Sequence, residues 1–429
     1  MRGSRDRRDT LAVDGGTPVR SGRPWPDWPQ VAAGAEEELR SVLYSGRWAI
    51  SSPHRRELAE QRFARRFAGY VGTRHCVPTD HGSSALLIAL ESLGLEYGGI
   101  VLVPALTWTA SATAVFRAGL VPLLVDADPA TGTMDAEALD FSSTPAAVLV
   151  VHWACRMADV PTISRAASSH GAVVIEDAAQ AHGARWQGRA AGSLALLGCF
   201  SMQHSKVLTC GEGGAVVTND DALAPRLEEL RADSRRYHGA ARDGELDLAE
   251  TATVMGANHC LDEFGAALLC AQLDLLEAQH DVRNRNYQVL SRLLADVPGV
   301  RLLRPAPEQD RLSLYEVPIV FDPLPRETGN AWVADALSAE LGLRVYTPRT
   351  PLHRSALLRP WTRPALAALS DRFVALHRDR AFPGAEYLAA HSVLFHHSAF
   401  LGTEQDMADI TAAVGKVAGV IAAGRSPRG

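Results

Sequence analysis

The sequence predicts an α/β chain, with a large and mostly parallel sheet between helices, followed by a smaller α+β unit. Three observations carry this. Short runs rich in Val, Ile and Leu alternate with helical segments through the first two-thirds of the chain. Each run closes in glycine or polar residues, as strands buried on both faces do, and strand–helix alternation favours a parallel sheet. Past about residue 290 the texture changes and the alternation is lost.

In chain order, GIVLVPA (99–105) reads as a buried strand and TASATAVFRAG (109–119) as a helix. VPLLVDAD (121–128), AAVLVVH (146–152), AVVIED (172–177), ALLGCFSM (195–202) and GAVVTND (214–220) supply further strands. A long helix starts near Asp262, with Phe264, Leu268, Ala271 and Leu275 as one apolar stripe. It continues to about Ala295, where Pro298-Gly299 ends it. Beyond it, LSLYEVPIVF (312–321) reads as a strand, NAWVADALSAEL (330–341) as a helix and VLFHHSAFLG (393–402) as strand-like. Thr403 caps a closing helix. The expected organisation is a large cofactor-binding domain over 11–289 and a small C-terminal domain over 290–422, with disordered ends at 1–10 and 423–429.

Composition narrows the function. The 429 residues carry a net charge of −6, which argues against a nucleic-acid binder. No apolar run approaches the roughly 20 residues of a membrane span. The basic start MRGSRDRRD leads into no apolar segment, so it is not read as a secretory signal and a cytoplasmic enzyme is expected. Cys76, Cys155, Cys199, Cys210, Cys260 and Cys270 form no CxxC pair, a reducing-compartment pattern with no metal site.

Ligands of open α/β sheets bind beyond the carboxyl ends of the strands, and four candidates fall there. Gly82-Ser83-Ser84 opens a helix, where free backbone N–H groups attract an anion. Trp108 follows the strand at 99–105, and Asp177 ends AVVIED. Lys206 stands in GCFSMQHSKVLTCGEGG, a lone lysine in a mostly uncharged setting before a glycine-rich loop. Singly, each has a plainer reading: a helix cap, a packed core aromatic, an N-cap carboxylate, a solvated loop lysine. Jointly they are the parts that hold pyridoxal 5′-phosphate. The lysine forms a Schiff base with the aldehyde, the carboxylate keeps the ring nitrogen protonated, the aromatic lies on the ring face, and the Gly-Ser loop takes the phosphate. No Gly-Lys-Ser/Thr follows GEGG, and no GxGxxG follows the first strand, so nucleotide loops are set aside.

FSMQHSKVLTCGEGG, the Gly-Ser loop at 82–84, PALTWTASA and IEDAAQAHGA together resemble the DegT/DnrJ/EryC1/StrS aminotransferases, over about Leu11 to Val420. The resemblance implies the type I pyridoxal-phosphate fold, similar to aspartate aminotransferase, and a homodimer with shared active sites. It implies that Lys206 is the Schiff-base lysine and proton shuttle, that Asp177 pairs with the pyridine nitrogen, and that Gln180 contacts the ring hydroxyl. Gly82, Ser83, Ser84 and Ser201 would hold the phosphate, Trp108 would stack on the ring, and Asn258 in GANHCLDEFGAA would reach the phosphate of the partner subunit.

Within that family Gln203 replaces the histidine of the nucleotide-sugar branch, whose motif reads FSFH. WPDWPQ, SGRWAIS, LRADSRRY and LHRSALLRP resemble the branch that uses L-glutamine to aminate scyllo-inosose or 2-deoxy-scyllo-inosose in aminoglycoside biosynthesis. Arg235, Arg236, Tyr237 and His152 are the polar candidates for the acceptor. Other readings stay open: a dehydratase resembling 3-amino-5-hydroxybenzoate synthase, a keto-sugar nucleotide aminotransferase, a silent cofactor-binding partner subunit, or a binding module for phosphorylated ligands. Two departures bear on substrate. Asn258-His259-Cys260-Leu261 stands where the family usually has Asn-x-Arg-Met, and Cys155 stands where glycine is common.

Overall fold

The computed structural model describes residues 10–53, 57–237, 244–325 and 327–424. Of the ends expected to be disordered, 1–9 and 425–429 lie outside the described residues, whereas Ala423 and Gly424 close the last helix through bonds to the Gly419 and Ile421 carbonyls.

The first half runs α1 (Ala35–Ser45), α2 (Ala59–Val71), β1 (His75–Thr79), α3 (Gly82–Ser92), β2 (Ile100–Pro104), α4 (Thr109–Arg117) and β3 (Val121–Val125). Then follow β4 (Ala147–Val151), α5 (Val160–Ser169), β5 (Val173–Asp177), the short hairpin β6 (Arg185–Trp186) and β7 (Arg189–Ala190), β8 (Leu197–Ser201) and β9 (Gly214–Thr218). Seven of these strands form one sheet in the order β1-β9-β8-β5-β4-β2-β3. Its neighbours pair parallel except that β9 runs antiparallel to both β1 and β8. The β8–β9 connection carries no helix, so the chain turns back beside β8 rather than crossing over, and Ser201 pairs directly with Gly214.

Helices cover both faces of this sheet, so β2, β3 and β4 are buried along their whole length. Val101 and Val103 point into the core shared with α3 and α4, and Ile100 and Leu102 into that shared with α5. This arrangement sends the carboxyl ends of β1, β2, β4, β5 and β8, with the amino end of β9, to one edge of the sheet.

The chain continues through α6 (Leu223–Arg231), a hairpin of β10 (Arg235–Tyr237) and β11 (Leu248–Glu250), and α7 (Glu263–Leu294). Asp262 caps α7 by accepting the Gly265 N–H, close to the expected start. Of the expected stripe, Ala271 is buried and, with half-buried Leu268 and Leu275, packs on Ala32 and Ala35, while Phe264 is half-buried; a second face carries Ala266, Leu269, Cys270, Leu273 and Leu276. Helices α1 and α2 both pack on α7, so most of its circumference is covered and one stripe does not describe it.

The remainder is β12 (Val300–Leu302), β13 (Glu316–Phe321), α8 (Gly329–Leu341), β14 (Val345–Tyr346), α9 (Ala367–His377), α10 (Pro383–His391), β15 (Ser392–His396) and α11 (Glu404–Ala422). A four-stranded antiparallel sheet has the order β12-β13-β15-β14. The strand expected over 393–402 ends at His396 and passes into a 3₁₀ segment, His397–Leu401.

An N-terminal arm ties this unit to the large sheet. The Ala12 and Val19 N–H groups donate to buried Glu340, and Arg20 pairs with Asp406 and Asp409. Farther along, the Trp28 indole N–H donates to the His204 carbonyl, beside Lys206. Among the described residues no helix is long and apolar enough to cross a membrane.

Candidate active site

The edge that collects the strand ends also collects most of the sequence-predicted residues. Helix α3 starts three residues after β1, and its N-cap, His81, makes no side-chain cap. The serines therefore do not cap the helix. Ser83 is exposed, while Ser84 is buried. The backbone approach here needs glycine. A Cβ on Gly82 would lie 2.5 Å from the Ser201 Cβ, and one on Gly214 would lie 2.7 Å from the Gly82 nitrogen. The two glycines thus bring the first turn of α3 against the ends of β8 and β9, a cradle of backbone N–H groups and the Ser201 hydroxyl.

Asp177 ends β5 and is 6% exposed. Its Oδ2 accepts from Ser111 Oγ at 2.9 Å and its Oδ1 from the Ala179 N–H at 3.2 Å. Burial pushes this carboxyl up, against the pull of those two bonds and of the Lys206 and His152 charges. A buried carboxylate with one hydroxyl and one amide for company suits a cationic ring N–H opposite it. Glu176, next in the strand and facing away, does another job. It takes the N–H groups of Gly192, Leu194 and Ala195, and His152 Nε2 at 3.0 Å.

Lys206 lies in the loop after β8 and is half-buried, its Nζ 4.0 Å from the centroid of the Tyr315 ring. Gln203 Oε1 accepts from the Ser205 N–H and hydroxyl at 2.8 Å each, and Ser205 Oγ lies 3.1 Å from Tyr315 Oη. Gln180 Oε1 accepts the Ala154 N–H at 2.6 Å, which fixes its amide beside the sheet edge. Trp108 caps the start of α4 and is 45% exposed, so it is not a core aromatic, and the Arg349 guanidinium lies 4.8 Å from its ring centre. Asn258 stands apart. It is exposed, its Oδ1 accepts the Cys260 N–H, and its neighbour His259 accepts the Asp80 N–H just before α3.

Sequence reasoning missed several residues at this edge. Ser111, backed by Thr107 at 3.1 Å, sits in the first turn of α4; the spacing of Thr107 and Ser111 was the available signal. Tyr315, Glu316, Tyr346 and Arg349 come from the C-terminal unit, where no motif marks them. Tyr346 Oη donates to Glu316 Oε1 at 3.0 Å. Burial raises the Glu316 carboxyl, while Tyr346 and the Lys206 and Arg349 charges oppose this.

The four acceptor candidates fare differently. Tyr237 donates to buried Glu60, Arg235 to the Ala232 carbonyl and Asp233, and Arg236 lies 3.9 Å from Glu229. His152 spends both nitrogens, on Glu176 and on the Ala158 N–H. A groove of 720 Å³ lined by Asp126, Arg301 and Tyr387 touches none of the candidate residues.

These residues fit pyridoxal phosphate: an N–H cradle, a buried acid short of a cation, and a lysine beyond the strand ends. Residues 30–377 match the model of the DegT/DnrJ/EryC1/StrS aminotransferase family. The chain is 46% identical to an L-glutamine:2-deoxy-scyllo-inosose aminotransferase of Streptoalloteichus tenebrarius, over 95% of this chain and 97% of that one. It is 40% identical to an L-glutamine:scyllo-inosose aminotransferase of Streptomyces griseus, with the same two coverages of 95% and 97%. The crystal structure of 3-amino-5-hydroxybenzoic acid synthase superposes with a TM-score of 0.80 at 29% identity, covering 94% of this chain and all of that one. The mostly parallel central sheet between helices is that of the type I pyridoxal-phosphate fold. The chain belongs to the DegT/DnrJ/EryC1/StrS aminotransferase family and is a pyridoxal-phosphate-dependent transferase.

Proposed function

We propose that this enzyme moves the amino group of L-glutamine to a ketocyclitol of the scyllo-inosose or 2-deoxy-scyllo-inosose type, in aminoglycoside antibiotic biosynthesis. The observation that carries this is 46% identity, across 95% of the chain, to an enzyme named for that donor and acceptor. When bound, pyridoxal phosphate supplies an aldehyde that carries the amino group and a ring that withdraws electrons.

The chain's residues do the rest. Lys206 Nζ holds the cofactor and moves the proton at the reacting carbon. Asp177 keeps a proton on the ring nitrogen, and Gln180 bonds the ring hydroxyl. Gly82, Ser83, Ser84 and Ser201 hold the phosphate. Trp108 lies against the ring. A ketocyclitol is neutral and rich in hydroxyls, so it needs hydrogen-bond partners and no counter-charge. Glu316 and Tyr346, near Lys206, support that role better than Arg235, Arg236, Tyr237 or His152, which are committed elsewhere. The enzyme is read as a cytoplasmic homodimer, with exposed Asn258 reaching the phosphate of the partner's site.

An acceptor panel with L-glutamine tests this: scyllo-inosose, its 2-deoxy analogue and a keto-sugar nucleotide, read by mass spectrometry. Amine in place of ketone oxygen on either cyclitol is expected; turnover of the nucleotide alone would sink the reading. The likeness to 3-amino-5-hydroxybenzoic acid synthase favours a second reading, a dehydration, and a product that has lost water would point to it. Lys206→Ala should lose both turnover and the visible absorbance of the lysine-bound cofactor, and normal activity in that variant would remove Lys206 from its role.

A further inference from the structure

Two adjacent histidines stand behind the lysine loop where β15 gives way to the 3₁₀ segment. His397 is fully buried. Its Nδ1 lies 3.1 Å from Arg283 Nη2, and its Nε2 lies 3.0 Å from the Ser205 carbonyl oxygen. A guanidinium only donates and a carbonyl oxygen only accepts. One form of the ring satisfies both contacts: neutral, with the proton on Nε2. His396 yields to the same logic. The Ser398 N–H donates to its Nδ1 at 3.3 Å, and its Nε2 lies 3.3 Å from the same Ser205 oxygen. One residue upstream, the Trp28 indole N–H donates to the His204 carbonyl at 2.9 Å.

Three side-chain N–H groups therefore hold the two carbonyls that precede Lys206. None belongs to the sheet that carries the lysine loop; Trp28 comes from the N-terminal arm and both histidines from the C-terminal unit. Arg283 is fully buried on α7 and donates to Gln279 Oε1 at 3.3 Å as well as to His397. Among the described residues its Nε and Nη1 have no hydrogen-bond partner, and burial holds it down at about 9. The Trp28 ring lies 5.3 Å from the guanidinium and packs edge-on to His397 at 4.3 Å. A buried cation with two nitrogens unpaired is costly, so a role beyond packing is indicated.

We propose that Arg283 and His397 form a positioning relay for Lys206. The guanidinium fixes His397 as the Nε2–H tautomer, and that N–H, with His396 and Trp28, anchors the peptide that presents the lysine amine. The side chain can then change its bonding during turnover while its backbone stays in place. The relay rests on the reading of Lys206 as the cofactor amine.

Kinetics of the holoenzyme with L-glutamine test it. His397→Phe keeps a ring but removes the donor, and His397→Gln keeps an N–H close to Nε2. His397→Phe should lower the single-turnover rate by about tenfold or more, with the KM for L-glutamine moving less than about twofold. The visible absorbance should persist in that variant, its pH midpoint shifted. His397→Gln should recover to within about threefold of wild type, as a retained hydrogen bond would. Arg283→Met should cost several-fold alone and nothing further in the His397→Gln background, where no tautomer remains to fix. An unchanged rate in His397→Phe, a Gln variant no better than Phe, or additive losses with Arg283→Met overturn the relay. Should His397→Phe not fold, Trp28→Phe replaces it: a fall of about threefold or more supports the anchor and an unchanged rate overturns it. Lys206→Ala keeps the two readings apart, because absorbance and turnover surviving in that variant would sink the lysine assignment instead.

Discussion

Ser111 Oγ donates a 2.9 Å hydrogen bond to Asp177 Oδ2, and Thr107 Oγ1 stands 3.1 Å behind it. All three side chains are buried, so this short chain, not solvent, sets the direction in which the carboxylate offers its other lone pairs. A hydrogen bond to a charged group contributes about 1.5–3 kcal/mol net, and Ser111→Ala should accordingly slow the L-glutamine half-reaction by about tenfold or more. Single-turnover absorbance measures this, and a loss below about threefold would take Ser111 out of the machinery.

Asp177 gives a prediction with a sign. Burial raises its carboxyl above the ordinary 3.8, so the folded protein binds that proton more tightly than the unfolded chain. The resulting stability is present at low pH and is lost as pH rises through the folded-state value. Asp177→Asn removes this loss. Without cofactor, the variant should melt a few degrees above wild type at about pH 8, with the gap closing towards about pH 4. With pyridoxal phosphate the order should reverse, since a ring cation favours the ionised carboxylate, and turnover should fall by orders of magnitude. A variant less stable than wild type at every pH, or a rate loss below about tenfold, would contradict the role given to Asp177.

The pattern of what the sequence made legible has a physical cause. Strands β2 to β5, β8 and β9 announce themselves because burial on both faces demands continuous apolar runs. Strand β1, HCVPT, does not: Pro78 argues against a central strand, and β1 is in fact the sheet edge, where a missing N–H is tolerated. Strand β14 has two residues and no period to detect. The candidates Gly82, Trp108, Asp177 and Lys206 were legible because an open sheet puts its chemistry just past strand ends. Tyr315, Glu316, Tyr346 and Arg349 were not, because they approach from a second sheet, and only the packing of the two units brings them there. The second apolar face of α7 was equally invisible: the expected stripe Leu268, Ala271 and Leu275 packs on Ala32 and Ala35, whereas Ala266, Leu269, Cys270, Leu273 and Leu276 meet the core under α2.

Gly82 tests the phosphate cradle. A methyl group on it would sit 2.5 Å from the Ser201 Cβ and 3.0 Å from its Cα, so either α3 or the end of β8 must move. Overpacking of this kind costs about 1–3 kcal/mol where the backbone cannot yield. Gly82→Ala should therefore weaken pyridoxal phosphate binding by about tenfold or more, with a smaller change in the melting of the cofactor-free protein. Titration of the visible absorbance against added cofactor reads the first quantity. Unaltered cofactor affinity would mean that the first turn of α3 does not hold the phosphate.

The neighbouring acids Glu176 and Asp177 should respond in opposite ways to loss of charge. Glu176 is fully buried and satisfied by four donors: Gly192 N–H and His152 Nε2 on one oxygen, Leu194 and Ala195 N–H on the other. Glu176→Gln turns one oxygen into an NH₂ that faces two donors whichever way the amide is set. Leaving such groups unpaired costs about 3 kcal/mol or more, so the variant should lose stability whether or not cofactor is present. The folded fraction should keep a half-reaction rate within about threefold of wild type, because Glu176 bonds Gly192 and Leu194 on the opposite side of the strand from Asp177 and its partner Ser111. Denaturant melts and single-turnover rates on the same preparation separate the two effects. A Glu176→Gln protein as stable as wild type but catalytically dead would reverse the division of labour between the two carboxylates.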